Sequence, residues 1–111
     1  KDFKGALEHY EKLRSSNLAK EGLEQLILYN VAETMVALKD YDAAVSLFKR
    51  LSQDTNSPYR REAYASIARI YEQTNKTKEA VQAYRQYLKI FPEAPDAAFV
   101  KTRIASLTAQ S

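Results

Sequence analysis

The feature that most constrains this chain is that it repeats itself. Residues 1–13, "KDFKGALEHYEKL", return as "KDYDAAVSLFKRL" (39–51) and a third time as "NKTKEAVQAYRQYL" (75–88). Lys1, Asp2, Ala6 and Leu13 recur as Lys39, Asp40, Ala44 and Leu51, and Ala44 and Phe48 recur as Ala80 and Tyr84. The stretches between the copies match as well. Leu28, Val31, Ala32 and Met35 align with Tyr64, Ile67, Ala68 and Tyr71. Apolar and small positions persist while polar ones change. A unit of this length buries only one side of itself, so its other side must meet the next copy.

Both halves of the unit have helical period. Leu28, Val31, Ala32 and Met35 recur at i, i+3, i+4 and i+7, as do Tyr64, Ile67, Ala68 and Tyr71. Ala44, Phe48 and Leu51 mark one face of the second helix, as do Ala80, Tyr84 and Tyr87 in the next copy. Asp2 and Asp40 are placed to cap helices beginning at Phe3 and Tyr41, and Ser57-Pro58 reads as a cap with a first-turn proline. Lys76 stands where the aspartate is expected, so the cap there falls to Thr77. Pro92 ends a helix, and Pro95-Asp96 opens another with an acid in its first turn. Six helices are expected, over 3–14, 20–38, 41–53, 58–74, 77–90 and 95–108. Ala32, Ala68, Ala44 and Ala80 let paired helices approach closely, and an aromatic one turn later (Phe48, Tyr84) fills the space beyond.

Composition agrees with helix throughout. The 111 residues are 45% hydrophobic and 28% charged with only two Gly and three Pro, so breakers are scarce and a single domain is expected. The absence of cysteine excludes disulfides and thiolate metal sites and leaves cytoplasm and periplasm open. No apolar run reaches the roughly 18–20 residues of a membrane span, so direct membrane insertion is not expected. Residues 1–57 carry 8 Lys and Arg against 9 Asp and Glu, whereas residues 58–111 carry 9 against 5. That mild bias favours acidic partner surfaces but falls short of a nucleic-acid footprint.

Catalytic constellations are lacking. His9 is the only histidine and no cysteine can join it, so no metal or catalytic site is assigned. The pairs Glu8/Glu11 and Glu21/Glu24 have the spacing of a solvated helix face. Two glycines cannot build a phosphate loop, and no cofactor is expected. The tyrosines could stack on bases beside the basic Arg60-Arg61 spot. However, Tyr64, Tyr71, Tyr84 and Tyr87 fall on the packing face, where aromatics at helical spacing form core.

With these residues in view, the chain resembles the tetratricopeptide repeat family. Residues 61–92 carry Tyr64, Ile67, Ala68, Tyr71, Ala80, Tyr84 and Pro92 at signature places, with Tyr87 for the usual alanine. Residues 25–56 carry Leu28, Ala32, Ala44 and Phe48, with Asn56 where proline is expected. The resemblance implies an all-α fold, an α-α superhelix of antiparallel helix pairs. Residues 1–14 would be the second helix of a repeat whose first helix lies upstream, 20–56 and 58–92 two repeats, and 95–108 a closing helix. Spacings above the usual 34 put the extra residues near 15–20 and 52–57. "FPEAPDAAFVKTRIASL" (91–107) is similar to the closing repeat of bacterial envelope members of the family.

The resemblance also implies a function. In this family the first helix of each pair lines the concave surface and contacts ligand. That nominates Leu26, Tyr29, Asn30, Glu33 and Val36 on one helix and Glu62, Ala65, Arg69 and Glu72 on its counterpart. Ser66 and Gln73 lie on the same side. Leu26 and Val36 read equally well as packing against the helix at 3–14. The family's clamp for acidic chaperone tails is not intact, because Tyr29 and Glu33 replace its Lys and Asn. The expected role is a non-enzymatic protein–protein interaction module, a scaffold piece of a larger bacterial protein, taking a peptide or helical segment. Self-association through helix stacking and an accessory role beside an enzyme domain are the alternatives.

Overall fold

A computed structural model describes residues 4–8 and 21–110, apart from the Glu21 side chain. Residues 4–8 are helical (α1), followed by α2 (Glu21–Ala37), α3 (Tyr41–Gln53), α4 (Arg60–Gln73), α5 (Thr77–Ile90) and α6 (Ala97–Gln110). No strand occurs among the described residues. The all-α helical repeat expected from the sequence is what forms. Helices α3 and α5 run over the expected residues, and α4 starts two residues later than expected because Pro58 and Tyr59 lie in a turn. In α1 the Ala6 and Leu7 positions are half-buried, whereas Phe3, Tyr10 and Leu13 of that face, and His9 and Glu11, lie outside the described residues.

The chain forms two compact units, Lys1–Ala63 and Tyr64–Ser111, with the division inside α4. In the first unit α2 packs on α3. Ala32 and Ala44 are fully buried, as are Phe48 and Leu51, with Leu28, Val31 and Met35 at 2–3% exposure. In the second, α5 packs on α6, and Ala65 and Ala68 of α4 join Ala80, Tyr84, Tyr87, Val100 and Leu107 in one cluster. Burying each such large side chain is worth about 1.5–3 kcal/mol, so these faces carry most of the stability.

The two helix pairs turn in the same way. After α2, Lys39 takes a left-handed conformation (φ 64°), its N–H donating to Val36 O and the Asp40 N–H to Met35 O, both at 2.9 Å. After α4, Asn75 (φ 64°) does the same, with bonds from Asn75 N to Glu72 O (3.1 Å) and Lys76 N to Tyr71 O (2.8 Å). This bond pair is the Schellman motif, which satisfies the helix's last carbonyls within one tight turn. Asp40 then caps α3 through Ala43 N–H (3.4 Å).

The expected Thr77 cap is corrected by the structure. Thr77 is the first residue of α5, and the cap position is Lys76, which makes no side-chain cap bond. An ammonium has no acceptor to offer the open N–H groups. Instead its Nζ lies 6.0 Å from the centre of the Tyr71 ring.

The connection between α3 and α4 is organised by Asp54. Its carboxylate accepts the Asn56 N–H (3.0 Å) and the Gln25 side-chain amide of α2 (3.1 Å), while its carbonyl accepts the Ser57 N–H (3.0 Å). Ser57 Oγ then accepts the Tyr59 N–H at 3.1 Å, but the expected cap with a first-turn proline is corrected: Pro58 and Tyr59 form a turn, and the helix begins only at Arg60.

Candidate functional site

The exposed face of α2 comes from helical register. With Leu28, Val31, Ala32 and Met35 turned inward, the stripe Leu26, Asn30, Glu33 at i, i+4, i+7 is left in solvent. Leu26 is 40% exposed, and Leu23 one turn earlier is 43% exposed. Leu23 is not among the positions nominated from sequence, although the same period, run back one turn, reaches it.

Tyr29 is placed differently from an open binding residue. It is half-buried, stacked on Tyr59 (ring centroids 4.7 Å, 16° between planes) and edge-on to Phe48 (6.0 Å, 68°). Its ring therefore belongs to the packing that holds the start of α4. Val36 is half-buried as well.

On α4 the nominated residues divide. Arg69 is exposed, its guanidinium donating to Ser66 Oγ at 3.1 Å, and Gln73 one turn on is also exposed. Glu62 is half-buried and paired with Arg61 at 3.1 Å. Ala65, by contrast, is 5% exposed and sits in the buried cluster, and Ser66 is 4% exposed. These two present almost no surface, because α4 is packed around more of its circumference than the α2 pattern implied. The basic Arg60-Arg61 spot is engaged within the fold, Arg60 Nε donating to Ser52 O at 3.1 Å.

Glu72 anchors a network that the sequence did not reveal. Tyr84 Oη of α5 donates to Glu72 Oε1 (2.9 Å), and Arg103 of α6 donates through Nε to Oε1 (3.4 Å) and through Nη2 to Oε2. Burial pushes the Glu72 carboxyl up, but the bonds from Arg103 and Tyr84 and the Arg103 charge outweigh it and hold the group below its ordinary value. Burial, then the bond to Glu72, push the Tyr84 hydroxyl well above its ordinary range. Tyr87 Oη donates to Asp96 Oδ1 at 2.5 Å, tying α5 to the turn before α6. Three helices are thus fastened by one carboxylate, so Glu72 has a structural task of its own.

Among the described residues no group of three or more His, Asp or Glu could hold a metal ion, and no helix is long and apolar enough to cross a membrane. What the arrangement presents is surface: helix stripes with apolar, polar and charged side chains in register. Repeated helix pairs with small residues at the pair interface define a helical-repeat protein. The family model for the tetratricopeptide repeat matches residues 23–93, and the chain belongs to that family. Such repeats generally mediate protein–protein interaction and are typically not enzymes. No curated protein and no solved structure matches the chain.

Proposed function

We propose that this chain is a protein–protein interaction module that holds a peptide or helical segment of a partner in the concave groove of its repeats, as part of a larger scaffold protein. The reading rests on one observation: Leu26, Asn30 and Glu33 stand in solvent in helical register on the first helix of a repeat. Leu23 and Leu26 supply apolar anchors, Asn30 hydrogen-bonds to the partner backbone, and Glu33 sets its orientation by charge. Tyr29 and Glu72 act from behind, Tyr29 by steadying α4 and Glu72 by fastening α4, α5 and α6. Glu62 and Val36 border the face, and Ala65 supports it from within.

Peptides selected from a random display library on the whole chain test the reading. Selected binders are expected to lose at least about tenfold in affinity against Leu26→Asp and Glu33→Arg, with circular dichroism unchanged. Binders that hold both variants as tightly as wild type would overturn the assignment.

A further inference from the structure

Lys78, Gln82, Arg85 and Lys89 recur at i, i+4, i+7 and i+11 on α5, and all four are exposed. They run along the side of the helix opposite buried Ala80, Tyr84 and Tyr87. Among the described residues none of the three cations forms an ion pair or hydrogen bond through its side chain. The ridge has a hollow on either side. One, of about 520 Å³, has Tyr71 and Ala83 in its lining; the other, of about 450 Å³, has Val81 and Leu107 of α6 in its lining.

The preceding repeat provides the comparison. The equivalent positions on α3 are Asp42, Ser46, Lys49 and Gln53, also exposed, with one charge of each sign. Solvation of an outer helix face is satisfied equally well by that mixture. A row of three unpaired cations in the second copy therefore calls for something beyond solubility, namely an anionic counterpart.

We propose that the outer face of α5 is a second docking surface, separate from the groove, for an acidic helical segment of a partner protein. At 1.5 Å rise per residue, Lys78 and Arg85 lie about 10 Å apart along the axis and Arg85 and Lys89 about 6 Å. Carboxylates at i, i+4 and i+11 on an antiparallel helix meet the same three heights. Tyr71 and Ala83 in one hollow, and Val81 and Leu107 in the other, offer apolar contact to an aliphatic side chain from that helix. Nucleic acid is the poorer counterpart. Duplex DNA carries one charge per about 1.7 Å of axis, far denser than three cations over three turns.

The probe is a fluorescein-labelled alanine-based helical peptide carrying glutamates at i, i+4 and i+11 with one leucine, read by anisotropy against the whole chain. A peptide with glutamines in their place is the control. The glutamate peptide is expected to bind at least about tenfold more tightly than the control, to weaken with salt, and to shift amide resonances of α5. Arg85→Glu with Lys89→Glu should abolish that preference without altering the circular dichroism, and Leu26→Asp should leave it intact. Equal binding by the charge-reversed variant overturns the proposal, as do shifts confined to residues outside α5. So does binding of a single-stranded oligonucleotide or of phosphatidylserine vesicles when the peptide fails to bind.

Discussion

At the scale of single residues, the two Schellman turns set up an internal comparison. Asn tolerates the left-handed region better than Lys, which lacks a short polar side chain to bond locally. Lys39 therefore holds φ 64° at a cost that Asn75 largely avoids. Lys39→Gly is expected to stabilise the chain by about 0.5–1 kcal/mol, seen as a rise of a few degrees in Tm. Lys76→Asp restores to α5 the cap that Asp40 gives α3 and removes a cation from a helix N-terminus. It should add about 1 kcal/mol in urea denaturation, less whatever the contact with Tyr71 contributes.

Glu72 carries a pH signature. Its folded value lies below its ordinary one, so its stabilisation is complete above the ordinary carboxylate range and is lost as pH falls through the lowered value. Glu72→Gln should cost about 1–2 kcal/mol at pH 7. Because a protonated glutamate and a glutamine make similar bonds, the gap between variant and wild type should close in acid. A constant gap from neutral to acid pH, measured by chemical denaturation, would refute this origin.

At the scale of elements, helix identity and pairing were legible because period and residue size were both written in the sequence. The four alanines predicted to allow close approach, Ala32, Ala44, Ala68 and Ala80, are all fully buried. Ala80→Leu is accordingly expected to destabilise by about 1–3 kcal/mol through overpacking, whereas Ala98→Leu on the open side of α6 should stay within about 0.5 kcal/mol. The stacking of Tyr29 on Tyr59 was not legible, because it depends on how the 54–59 connection folds. That connection is set by side-chain-to-backbone bonds around Asp54, which no periodicity reports. The Glu72–Arg103 bond was hidden for a related reason: its partners are 31 residues apart on helices whose rotation must be known first. Ala65 was misplaced because α4 buries more of its circumference than α2, although the two align residue for residue.

At the scale of the whole molecule, the contacts are short-range in sequence. The Gln25–Asp54 and Glu72–Arg103 side-chain bonds span 29 and 31 residues, less than one repeat. Chains whose contacts are this local close small loops and fold fast. Refolding from urea should therefore be complete within milliseconds for the main phase, measured by stopped-flow circular dichroism. A dominant phase of seconds would contradict the local character of the fold. The repeat plan also lets the exposed positions of the two copies differ in chemistry, since they are free to vary once the buried ones are kept.

The two kinds of connection also decide where this chain can be lengthened. The turn at Lys39 contains a single left-handed residue, and its donors are spent on the carbonyls of Met35 and Val36. One residue added there would rotate α3 by about 100° relative to α2 and carry Ala44 away from its seat. The 54–57 stretch contains no left-handed residue and is held by the bonds around Asp54. An epitope, a fluorophore attachment sequence or a new domain is better borne at Thr55–Asn56, where both residues are exposed and the loss is the Asp54 bonds to Asn56 and Ser57, than between α2 and α3.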